Sequence, residues 1–73
     1  MTLDRLAPGR RGTVLALRGA GPARLRLRDL GLTEGAEILC LGRSPLGDPS
    51  AYLVGGSAIA LRRSESSRIE VEV

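Results

Sequence analysis

The feature that most constrains this chain is its punctuation. Glycine- and proline-bearing turn signals recur every 8 to 12 residues along the 73-residue sequence, too often for long helices and at the spacing of a small all-β barrel or sandwich. Pro8-Gly9 combines a fixed φ with a residue that accepts positive φ. Gly19, Ala20 and Gly21 break the chain again. Gly31 and Gly35 follow, then the loop Ser44 to Pro49 between two prolines, then Gly55-Gly56.

Between these breaks lie short apolar runs. Thr13-Val14-Leu15-Ala16-Leu17, within a strand from Gly12 to Arg18, is β-branched and leucine-rich. Glu37 to Arg43 is apolar on both faces, as a central strand would be. Ala51 to Val54 and Ser57 to Arg62 flank the two-glycine hairpin signal. The last run alternates, with Ile69, Val71 and Val73 on one face and Arg68, Glu70 and Glu72 on the other. One helix is expected. Pro22 suits its first position, where the missing N–H costs nothing, and Gly31 suits a C-terminal cap. Ala23, Leu27 and Leu30 would face the core. Arg63 to Ser67 reads as a tight polar connection with room for one 3₁₀ turn. The expected architecture is a single domain over residues 1–73, mainly β: a small SH3-like barrel of about five strands with one short helix inserted after the first strand.

A domain this small buries only about 60% of its unfolded surface. Phe and Trp are absent and there is one Tyr, so leucine, isoleucine, valine and alanine must fill the core. Histidine and lysine are absent too, and Cys40 is the only cysteine. That leaves no imidazole base, no lysine or thiol nucleophile beside a base, and no zinc-binding set. Asp29, Asp48, Glu65, Glu70 and Glu72 show no acid/base spacing. A binding module is expected, not an enzyme. Cys40, among apolar neighbours, reads as a buried inert thiol; scattered carboxylates offer at most weak surface metal binding. A lone cysteine implies a reducing compartment. With no signal segment and no run of about 18 apolar residues, a cytoplasmic protein is expected.

All eleven cationic side chains are arginine. Met1 to Arg28 carry seven of them and one Asp, a net +6, whereas Asp29 to Val73 carry a net −3. Such asymmetry fits an anionic partner, or ordinary solvated faces.

Three stretches in order resemble the FeoA family, small cytoplasmic companions of the ferrous-iron transporter FeoB. They are Arg26-Leu27-Arg28-Asp29-Leu30-Gly31-Leu32-Thr33-Glu34-Gly35, the loop Ser44-Pro45-Leu46-Gly47-Asp48-Pro49, and Gly56-Ser57-Ala58-Ile59-Ala60-Leu61-Arg62-Arg63 followed by Glu65 and Ile69-Glu70-Val71. The opening Met1-Thr2-Leu3 to Pro8-Gly9 fits as well. Arg28 stands where members often carry an apolar residue, and Ser57 where they often carry an aromatic. The resemblance implies an SH3-like domain that supports ferrous-iron uptake by contact with the cytoplasmic regions of a FeoB-like transporter. It would reach the inner membrane only through that partner, with no insertion of its own and no cofactor.

Candidate partner contacts are Leu3, Leu6, Arg24, Arg28, Leu46 and Asp48. Leu3 and Leu6 would act as an apolar clamp or else close the open end of the barrel. Arg24 and Arg28 would meet an acidic surface, or else be solvated helix charges. The prolines would stiffen the Leu46–Asp48 loop for docking, or Asp48 would simply bond its own backbone. Two other classes compete: an SH3-like nucleic-acid-binding module, and the protein-interaction domain of metal-dependent repressors. The near absence of aromatics and a net charge of only +3 argue against nucleic acid as the partner.

Overall fold

The computed structural model describes residues 1–73. Five strands form one antiparallel sheet: β1 (Arg11–Leu17), β2 (Glu37–Arg43), β3 (Ser50–Val54), β4 (Ser57–Leu61) and β5 (Ile69–Glu72). Their order across the sheet is β4-β3-β2-β1-β5. Helix α1 (Pro22–Asp29) joins β1 to β2, and a four-residue helix, α2 (Arg63–Ser66), joins β4 to β5. This is the five-stranded SH3-like arrangement expected, with the helix after the first strand. The polar connection differs. It closes as α-helix because the Glu65 carboxylate reaches back to accept the Arg62 N–H at 3.1 Å, the carboxylate half of a capping box. Arginine is an unusual residue to precede a helix, so the start signal is hard to read in sequence.

The sheet rolls up because β1 serves two neighbours in turn. Arg11, Gly12 and Thr13 pair with Leu39, Ile38 and Glu37, whereas Thr13, Val14, Ala16 and Leu17 pair with Glu72, Val71, Glu70 and Ile69, so Thr13 is shared by both neighbours. The register shifts between Val14 and Ala16, a bulge that bends the strand. At the crossing sits Gly12, where a Cβ would lie 3.2 Å from the Glu72 carbonyl oxygen and 3.5 Å from the Val71 Cβ. A side chain there would require the Glu72 backbone to give by a few tenths of an ångström.

β2 is central, as its two apolar faces suggested. Ile38 and Cys40 are fully buried on the inside. On the outside Leu39 is half-buried and Leu41 is 46% exposed, so the outer apolar face is not covered by any other element. The core comprises Leu3, Leu6, Val14, Leu27, Leu32, Ile38, Cys40, Tyr52, Val54, Leu61, Ile69 and Val71.

Leu3 and Leu6 therefore correct one expectation. Leu3 opens a 3₁₀ turn (Leu3–Arg5) and Leu6 caps its end; they are 0% and 1% exposed, so they close the barrel and offer no clamp to a partner. The Arg43 guanidinium straps the turn down, donating to the Asp4 and Leu6 carbonyls at 3.1 and 3.0 Å. The chain start then runs along β5. Val71 N–H donates to Met1 O at 2.7 Å, the terminal ammonium donates to Val71 O and it pairs with Glu70.

Tyr52, the sole aromatic, is fully buried. Its hydroxyl faces those of Ser50 and Ser66 without completing a hydrogen bond. Tyr52→Phe removes an unpaired buried polar group, so stability at neutral pH is expected to change by less than about 1 kcal/mol, with a gain the favoured sign. Burial raises the phenol above its ordinary 10.0, the neighbouring Cys40 adding to the rise, while Ser50, Ser66 and Arg43 oppose it. A raised folded-state value means the folded chain holds this proton longer than the unfolded chain. The Tyr52 contribution is thus fully present below pH 10 and is lost as pH climbs through the folded value. Urea unfolding from pH 7 to pH 11, read with phenolate absorbance, should show that alkaline loss in the natural chain and a smaller one in Tyr52→Phe. Equal losses would assign the effect to other groups.

Candidate partner-docking surface

Helix α1 begins without a side-chain cap. Gly21 precedes it at φ 74°, Pro22 opens it, and its first turn holds no acid. Arg26 and Arg28 in the last turn complement the negative end of the helix dipole. The helix ends in a Schellman turn: Gly31 N–H donates to Arg28 O at 2.9 Å and Leu32 N–H to Leu27 O at 3.1 Å. Gly31 holds φ 96°, a conformation that L-residues with a Cβ avoid.

Of the apolar stripe expected to face the core, only Leu27 is buried, at 2% exposure. Leu30 is half-buried and Ala23 is exposed. The turn at Gly31 brings Leu32, fully buried, in beside Leu27, so Leu32 supplies the second core contact in place of Ala23. Nearly the whole lateral surface of α1 therefore faces solvent.

That surface is basic. Arg26 is spent on an ion pair with Glu65 of α2, and Arg18 on one with Glu70 at 2.9 Å. Arg24 and Arg28 make no salt bridge. One helical turn apart, they line a groove of about 350 Å³ with Leu17, Thr33 and Glu34. A second, adjoining groove is formed by Ala20, Gly21, Arg24, Leu25 and Arg28. Leu25 is 59% exposed. It is the apolar member of this surface that the candidate set lacked, and its place off the Ala23/Leu27/Leu30 stripe was the signal for it.

The Ser44–Pro49 loop is closed by its own backbone, with Gly47 N–H donating to Ser44 O at 2.8 Å and Ser44 N–H to Pro49 O at 3.0 Å. Leu46 stands at its tip, 94% exposed. Asp48 behaves differently from either expectation. Its Oδ1 accepts the backbone N–H of Arg63 at 2.9 Å, so it pins the loop to the start of α2. The six candidates thus separate. Arg24 and Arg28 share one groove, Leu46 projects from a loop outside it, Asp48 is a strut, and Leu3 and Leu6 are core.

Other chemistries have little to build on. Cys40 is buried, and no group of three or more His, Cys, Asp or Glu side chains converges. The only aromatic ring, Tyr52, lies in the core, so no exposed aromatic ring is available for stacking. No helix is long and apolar enough to cross a membrane.

The FeoA domain family model matches residues 1–73. Over 73 residues the chain is 32% identical to an Fe(2+) transport protein A/Fe(2+) transporter FeoB fusion protein of Porphyromonas gingivalis, covering 100% of this chain and 9% of that one. It thus spans about a tenth of that relative's length. Among solved structures, iron(II) transport protein A of Clostridium thermocellum superposes with a TM-score of 0.97 at 38% identity, covering 100% of this chain and 45% of that one. FeoA of Stenotrophomonas maltophilia, an SH3 domain protein complexed with zinc, superposes with a TM-score of 0.88 at 32% identity, covering 99% and 89%.

Proposed function

This chain belongs to the FeoA family, and on that basis we propose that it is a non-catalytic cytoplasmic accessory of ferrous-iron uptake that docks on the cytoplasmic part of a FeoB-like transporter. The observation that carries this reading is the relative in which a matching domain and the transporter form one polypeptide. Domains joined in one chain in one organism commonly act on each other when they are separate in another.

The docking face in this reading is α1. Its two unpaired arginines offer charge to an acidic surface, Leu25 offers an apolar anchor between them, and the helix projects from the barrel with little of its side covered. Leu46, on a loop held rigid by Asp48, is a second contact point. Exposed charges of this kind guide encounter more than they fix final affinity, and Leu25 and Leu46 then supply apolar burial.

The test is a titration against purified full-length transporter from the same organism, at low and high salt, beside a duplex-DNA control. Saturable binding to the transporter, weakened modestly by salt, with none to DNA is the expected result. Steeply salt-dependent DNA binding with none to the transporter would overturn the function and leave the fold untouched.

A further inference from the structure

The two edges of the sheet are treated differently. The outer edge of β5 is covered by the chain's own start, through the Thr2–Glu70 bridge and the Met1–Val71 hydrogen bonds. The outer edge of β4 is covered by nothing. β4 pairs only with β3, and no other segment hydrogen-bonds to it. Ser57, Ala58 and Ala60 are exposed and Ile59 is half-buried. Exposed edges are commonly protected by a charge, a proline or a bulge. Ser57-Ala58-Ile59-Ala60-Leu61 carries no charge and no proline, and its register with β3 is unbroken.

We propose that β4 is a self-association edge, whose occupant is β4 of a second copy of this chain, antiparallel about a two-fold axis at Ile59. The strand is self-complementary in that register. Ile59 meets Ile59, Ala58 meets Ala60, and Ser57 meets Leu61, with no charge anywhere in the pairing. The flanking charges also fit. Arg62 and Arg63 of each copy fall opposite Gly56 and Gly55 of the other, a turn without side chains, whereas a parallel pairing would set Arg62 against Arg62.

The apolar outer face continues across the junction. Leu39, Leu53 and Ala58 lie in register across β2, β3 and β4, and they would run on into Ala60 and Ala51 of the second copy. Pairing one five-residue edge buries much less than the roughly 800 Å² per partner of a standard stable interface. The dimer is therefore transient, half-formed at about 0.1–1 mM chain.

The test is rotational correlation time by NMR across a dilution series of the full chain, with Ala58→Lys, Ala60→Glu and their equimolar mixture. Both substitutions are at exposed alanines, and an unchanged amide spectrum elsewhere verifies the fold. The natural chain should tumble more slowly as concentration rises, approaching a particle of doubled mass. Each variant alone should stay monomeric, since like charges then lie diagonally across the two-fold, about 7–8 Å apart. The mixture should re-associate, because Lys at one position faces Glu at the other. Tumbling that is constant up to the highest concentration, association that ignores both variants, or a mixture that stays monomeric would each overturn the proposal.

Discussion

Leu27→Ala is expected to destabilise the domain by about 2–5 kcal/mol, the range for truncating a buried leucine. Leu27 is the only fully buried side chain of α1. It also supplies the carbonyl that accepts Leu32 N–H at 3.1 Å in the closing turn, and both side chains belong to the one core cluster. A domain of this length has roughly 4–11 kcal/mol to lose at about 0.05–0.15 kcal/mol per residue, so the loss is a large share of the total. The helix should also become the first element to open, because little else holds it. Urea unfolding gives the first quantity, and amide exchange over residues 22–30 the second. Leu25→Ala, on the exposed side, should stay within about 0.5 kcal/mol of the natural chain. If Leu27→Ala cost no more than Leu25→Ala, α1 would be held by something other than this one side chain.

Arg24→Glu with Arg28→Glu should lower affinity for the transporter by at least about tenfold, chiefly through slower association, and should flatten the salt dependence. The charge change is large, so a matched control is needed. Arg5→Glu with Arg10→Glu alters net charge equally at exposed positions that also lack salt bridges. A tenfold loss in the α1 pair and a small loss in the control would place the docking face on the helix. Equal losses would mean that only overall charge matters, and unchanged affinity in a folded α1 pair would remove this face from the reading.

The fold was legible because its determinants are local. Gly55-Gly56, the alternation of Ile69 and Val71, and the helix start at Pro22 each act within a few residues, and each produced its element. What escaped the sequence depends on tertiary context. For Leu3 and Leu6 the sequence offered a surface clamp or a barrel closure, and the contact that accompanies closure, from Arg43 to the Asp4 and Leu6 carbonyls, comes from nearly forty residues away. Asp48 looked like a turn residue and is bonded to Arg63. Leu30 kept its expected place against the core, whereas Ala23, at the same helical spacing from Leu27, is exposed, and Leu32 beyond the turn at Gly31 is buried instead. The docking surface was half legible: the arginines stood out by charge, whereas the pairing of Arg26 with Glu65, which leaves only two of the three free, could not be seen before the chain was folded.

The hydrogen bonds between Met1 and Val71 hold the opening and closing stretches of the chain side by side. A longer polypeptide could therefore carry this domain as a side branch, attached at either end, without rethreading the barrel. A short flexible tether gives an attached domain an effective concentration of about a millimolar toward sites within its reach. Contacts too weak to survive dilution between separate chains would then be occupied most of the time. In a fused relative the helix surface would need little intrinsic affinity, and in a free-standing domain the same surface would have to supply all of it.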